Sequence, residues 1–182
     1  MSDKLTLSSQ DAHIIGGTTV TAGLKTAQHV VGLLTPRFGN CTGTLIDKNV
    51  VKFQGQAPTG YVPVNVLKNS NYLAPSAFTL LAGYGLDDGT TQTGSGILRE
   101  TFTVLSNPRH SQTEAVLDQT IGRGTCSGDS GGPAFLLLNG AYYIWGITSR
   151  GDAQCKKTGV YTVVVPYQLF IDTAIRQLQA SF

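Results

Sequence analysis

The hexapeptide Gly128-Asp129-Ser130-Gly131-Gly132-Pro133 is the part of this sequence best equipped for chemistry. Glycines on both sides of a serine let the backbone turn tightly and expose the hydroxyl. They also allow backbone N–H groups to come close to a bound carbonyl. Such a serine attacks a carbonyl when a base within hydrogen-bonding reach takes its proton and a carboxylate orients that base. The plainer reading is a glycine–serine loop in which Asp129 is a turn former. The surrounding sequence offers little for the base. His29 opens a short apolar run and reads as a strand-face residue, and His110 lies in the turn-rich Asn107-Pro108-Arg109-His110 stretch. Asp47 and the Asp87-Asp88-Gly89 group read as turns, and Asp172 falls on a helical segment.

The elements that would position this loop are mostly strands. The chain has 182 residues, enough for one domain or two small subdomains. Charged residues make up 13%, about half the usual share of ~25%, which argues against disorder. Glycine occurs 22 times and threonine equally often, a composition suited to an all-β chain with many tight turns. A formal charge of +2 without a Lys/Arg cluster gives no electrostatic footprint for nucleic acid. No apolar stretch is long enough for a membrane-spanning helix, so neither nucleic acid nor membrane is expected as a partner. Residues 1–13 are polar and read as a tail or pro-segment, without the apolar core of a signal peptide.

From Ile14 onward, short apolar runs alternate with turn residues. This pattern predicts strands at His29–Thr35, Cys41–Ile46, about Asn49–Phe53, Val62–Leu67, Phe78–Gly83, Ile97–Leu105, Ala134–Leu138, Ala141–Thr148 and Val160–Val165. Asn139-Gly140 between two apolar runs is a strong two-residue hairpin signal. Near the C-terminus, Tyr167, Phe170, Ile171, Ala174, Ile175 and Leu178 recur at helical spacing behind Pro166. The three cysteines, an odd number, point to a free thiol or a missing partner.

The hexapeptide resembles the nucleophile loop of chymotrypsin-type, or trypsin-like, serine proteases, and further matches follow in that family's order. Ile14-Ile15-Gly16-Gly17 looks like the new N-terminus of an activated enzyme, and Asn40–Ile46 resembles the strand before the catalytic histidine. Leu81-Ala82-Gly83-Tyr84-Gly85 looks like the strand opening the second barrel. Gly146–Gly151 resembles the strand lining the substrate, and Gly159-Val160-Tyr161-Thr162 the strand before the terminal helix. The resemblance implies an all-β fold of two Greek-key barrels with a C-terminal helix. It divides the chain into a tail at 1–13, a shortened first barrel at 14–70, and a second barrel with the helix at 71–182.

For function, the resemblance implies peptide-bond hydrolysis through an acyl-enzyme on Ser130, with the N–H groups of Gly128 and Ser130 as the oxyanion hole and no cofactor or metal. Asp129 would accept the amino group freed by cleavage before Ile14, as an activation pair. The specificity pocket would comprise Gly124, Thr125, Ser149, Arg150, Gly151 and Gly159. Gly124 at its floor, in place of a carboxylate, favours an open uncharged pocket for apolar or aromatic side chains, with Asp152 close by. Cys126 and Cys155 match a family disulfide, which implies an oxidising compartment, secreted or periplasmic. The partner would be a peptide or protein substrate or inhibitor in the cleft.

The resemblance breaks between Cys41 and Gln56. No Ala-Ala-His-Cys segment occurs anywhere in the chain. Asn49–Val51 looks like the start of the histidine strand, and Lys52-Phe53 like the end of the strand that begins with the catalytic aspartate. One internal deletion accounts for both the absent base and the unpaired Cys41. The first barrel would then be incomplete, with open edges that invite self-association. Two readings stay open: a serine endopeptidase impaired by loss of its histidine and aspartate, or a pseudoprotease that binds without cutting.

Overall fold

The structure is a computed structural model that describes residues 14–21, 23–35, 39–47 and 60–180. In chain order its strands are β1 (Thr18–Thr19), β2 (Val30–Thr35), β3 (Gly39–Thr44), β4 (Asn65–Val66) and β5 (Phe78–Gly83). They continue with β6 (Arg99–Asn107), β7 (Glu114–Asp118), β8 (Pro133–Leu138), β9 (Ala141–Gly151) and β10 (Thr158–Val163). Among the described residues one α-helix, α1 (Gln168–Gln179), follows a 3-10 turn at Val165–Tyr167 that carries Pro166.

Six of these strands close on themselves. The order β6-β5-β8-β9-β10-β7 returns to β6 through the Leu105↔Leu117 pairing. Its interior holds Leu81, Leu105, Ala115, Leu117, Ala134, Leu136, Trp145, Tyr161 and Val163. The strand β5 is buried on both faces: Leu81 faces this interior, whereas Leu80 and Ala82 face outward into a second core. That second core joins Leu80, Ala82, Phe135 and Ile144 of the barrel to Val20, Val30 and Val64 of the N-terminal half. From Thr79 to Gly83 the strand is therefore buried between two cores, and it lacks the simple alternation of a half-exposed one, while Phe78 at its start stays exposed. Among the described residues of the N-terminal half, β2 and β3 form a two-stranded antiparallel sheet, from Val30↔Thr44 to Thr35↔Gly39.

Most predicted strands are present with ends shifted by a few residues. Asn139 and Gly140 both have positive φ, 50° and 78°, the geometry of the tight hairpin that joins β8 to β9. Three differences are informative. Only Asn65–Val66 of the predicted 62–67 strand pairs as a strand. The segment instead crosses from one half to the other, with Val62 N–H donating to Gln28, Val64 to Leu45 and Leu67 to Ile144. The strand Glu114–Asp118 is absent from the sequence reading, because two acids frame only three apolar residues, yet Ala115 and Leu117 point inward and close the barrel. On α1, Ile171 packs against the barrel core, but Phe170, expected on the apolar stripe, is 72% exposed. The predicted strand near Asn49–Phe53 and the junction within it lie outside the described residues.

Candidate active site

The loop carrying Ser130 is held from two sides by backbone hydrogen bonds. Thr42 of β3 donates its N–H to the Ser130 carbonyl at 3.0 Å. On the other side, Gly131 N–H donates to Thr148 of β9, and Thr148 N–H donates back to Gly132, both at 2.9 Å. The glycines are needed for this stitching: Gly128 and Gly131 have φ of 97° and 83°, and a Cβ on Gly131 would lie 2.6 Å from the Thr42 carbonyl oxygen.

The hydroxyl of Thr42 adds a third tie. It donates to the Gly128 carbonyl at 3.0 Å and accepts the Tyr84 N–H at 3.0 Å. One wholly buried side chain thus couples the N-terminal sheet, the end of β5 and the nucleophile loop. The tyrosine beside it is half-buried, and burial, with Tyr61 nearby, pushes its hydroxyl up to about 12.

Ser130 itself is exposed. Among the described residues the N–H groups of Gly128 and Ser130 donate no hydrogen bond. These are the two N–H groups that the family resemblance marks as the oxyanion hole. Among the same residues no imidazole or carboxylate lies within hydrogen-bonding distance of the Ser130 hydroxyl. His29 places Nδ1 2.6 Å from the Val62 carbonyl oxygen, and its ring stands edge-on to Phe135 and Tyr142. The acids are likewise engaged elsewhere. Asp47 meets Gln179, Asp87 pairs with Arg99, and Asp88 caps the Thr90 and Thr91 N–H groups. Asp172 sits on α1.

Next to the serine, Asp129 is completely buried. Its two carboxylate oxygens accept the N–H groups of Gly85 and Cys126, each at 2.8 Å. Burial pushes its carboxyl up to about 6, although those two N–H groups and the Arg99 guanidinium pull the other way. Ile14 is also fully buried, and Ile15 pairs with Gly124, five residues before Asp129.

A cleft of about 190 Å³ opens beside Ser130. Its lining includes Thr125, Ser127, Thr148, Arg150, Gly151 and Asp152, braced by the Cys126–Cys155 disulfide. The expected pocket residues divide here. Thr125, Arg150 and Gly151 line the cleft, whereas Gly124, Ser149 and Gly159 do not. Arg150 forms a two-pronged ion pair with Glu114 of β7, one prong at 3.0 Å. That hydrogen bond holds the Glu114 carboxyl below its ordinary range. Desolvation opposes ionisation of Asp152, but the N–H groups of Lys156, Lys157 and Thr158 outweigh it and hold the carboxyl down at about 2. Its charge is thus already met by this loop's own backbone. Thr42 and Thr148 inside strands, and Gln119 just beyond the end of β7, were not singled out from the sequence as site residues, because single polar residues carry no local signal of a shared site. Among the described residues no group of acids, histidines and cysteines could hold a metal ion, and none of their helices is long and apolar enough to cross a membrane.

A family model described as Trypsin matches residues 50–173, more than half of the chain. The chain belongs to the trypsin family. That match covers the closed barrel and the nucleophile loop, while the correspondences at Ile14–Ile46 lie before its start. The chain is similar to a chymotrypsin of Phaedon cochleariae, 36% identical over 101 residues, which is 51% of this chain and 35% of that protein. It is also similar to a CLIP domain-containing serine protease B4 of Anopheles gambiae, 33% identical over 54% of this chain and 32% of the relative. A shorter stretch of 53 residues is 47% identical to the hepatocyte growth factor activator serine protease of Mus musculus. The chain spans about a third of the length of the first two relatives it matches.

Proposed function

We propose that this chain is a serine endopeptidase by descent whose cleft still receives a peptide but whose hydrolysis is severely impaired. The observation that carries the reading is the state of Ser130. Among the described residues the N–H groups of Gly128 and Ser130 donate no hydrogen bond, and nothing stands ready to take the serine's proton. A peptide carbonyl entering the site would point its oxygen at the Gly128 and Ser130 N–H groups and its carbon at the serine oxygen. The hydroxyl would then have to attack without general-base help. Serine proteases stripped of a triad member keep roughly 10³–10⁴-fold acceleration over water, far below a working enzyme.

The nucleophile loop would be switched by cleavage at the His13–Ile14 bond. The new ammonium of Ile14 would meet the Asp129 carboxylate, which is buried and, among the described residues, forms no direct ion pair, so it stands to gain from one. The Cys126–Cys155 disulfide favours an oxidising compartment, secreted or periplasmic.

The second reading is a pseudoprotease that holds a protein segment in the cleft without cutting it. The undonated N–H groups of Gly128 and Ser130 favour it, since they can bind a carbonyl with no chemistry following. Self-association through an open edge of the shortened first barrel is the corresponding proposal for partners.

A fluorophosphonate probe on the purified 182-residue chain tests the leading proposal. Slow modification of Ser130, on the scale of an ordinary surface serine, is expected. Rapid stoichiometric labelling overturns it, because only an activated serine reacts quickly. A coding sequence holding an Ala-Ala-His-Cys stretch at the Asn49–Phe53 junction would restore the active-enzyme reading.

A further inference from the structure

We infer that Gln119 plugs the specificity pocket and restricts it to small side chains. The inference rests on the proposal above that the cleft beside Ser130 receives a peptide, and it replaces the open pocket for aromatic side chains that the glycines suggested.

The evidence is where the two pocket glycines point. An added Cβ on Gly124 would lie 2.2 Å from the Gln119 side-chain amide carbon, and one on Gly159 would lie 2.4 Å from the Gln119 Oε1. Both glycines therefore open space, and that space is already filled by a carboxamide of this chain. Gln119 is completely buried and is not among the residues that line the cleft, whose volume is about 190 Å³; it is bonded to Thr125, which is one of them. That volume is well short of the ~300 Å³ at which typical ligand pockets begin.

The plug is fixed by hydrogen bonds. Its Nε2 donates to the carbonyl oxygens of Thr125 and Cys155, each at 3.1 Å, and its Oε1 accepts the Thr125 N–H at 3.1 Å. The Thr125 hydroxyl lies 2.8 Å from the hydroxyl of the buried Tyr161. A long substrate side chain would have to break this set and leave buried polar groups unpaired, a costly exchange. A methyl, hydroxymethyl or isopropyl group can stop above it. Gln119 is thus a positioning residue that sets pocket depth through Thr125, without touching the reacting atoms.

The test measures equilibrium binding to the full chain of a peptide series that differs only in its C-terminal residue: Ala, Ser, Val, Phe or Lys. The small residues are expected to bind at least tenfold tighter than Phe or Lys. Gln119→Ala should reverse the order of Ala and Phe while thermal unfolding shows a folded protein. Equal or tighter binding of the Phe or Lys peptide to the natural chain overturns the plug, and so does an unchanged ranking in folded Gln119→Ala. Should Gln119→Ala fail to fold, the ranking on the natural chain decides alone. If no peptide of the series binds, the cleft reading falls with the plug, whereas a reversed ranking on the natural chain sinks the plug and spares the cleft.

Discussion

Titrating Asp129 offers the most direct check on how the nucleophile loop is held. In the unfolded chain its carboxyl has an ordinary pKa near 3.8, and in the fold burial raises it to about 6. Between those values the folded protein keeps a proton that the unfolded chain has released. Stability must therefore fall as pH rises from about 4 to about 6, and level off above that. The displacement corresponds to about 3 kcal/mol, a large part of the 5–15 kcal/mol typical of a domain. Asp129→Asn removes the titration. The variant keeps an acceptor for one of the two N–H groups of Gly85 and Cys126 and loses the other, at a cost of about 1–3 kcal/mol. Urea unfolding of both proteins from pH 4 to pH 8 separates these effects. The difference between them is expected to move by about 2 kcal/mol in favour of the variant as pH rises from 4 to 7, the rest of the shift lying below pH 4. Parallel curves would show that the carboxylate does not bear the burial cost inferred from its surroundings. Cleavage before Ile14 adds a sharper version, because a paired ammonium would carry the carboxyl below its ordinary range. In the cleaved form, stability would be lost on acidification instead.

Two further outcomes follow from the same geometry. Thr42→Val keeps shape but removes the hydroxyl that joins Gly128 to Tyr84; it should cost about 1–3 kcal/mol in urea unfolding, with Thr42→Ser recovering most of it. Reducing the Cys126–Cys155 disulfide, which closes a 29-residue separation, should cost about 3–4 kcal/mol by loop-closure entropy. It should also lower the thermal midpoint by several degrees.

Local patterns of residues determined a good deal here. The Gly-Asp-Ser-Gly-Gly-Pro loop, the Asn139-Gly140 hairpin and the strand at 78–83 follow from short-range rules of turn geometry and apolar patterning. They stand where those rules put them. The Cys126–Cys155 pairing came from the family resemblance and is present. Other features depend on residues far apart in the chain meeting in space. The closing role of Glu114–Asp118 depends on β6 and β10 flanking it. Thr42 acts on the serine loop across 86 positions. Gly124 and Gly159 read as open pocket space in sequence, because a glycine shows only that room exists and not what fills it. Packing filled it with Gln119. Chain-local signals set where strands and turns form, while the depth of the cleft and the surroundings of Asp129 were decided by which side chains the closed barrel forces into contact.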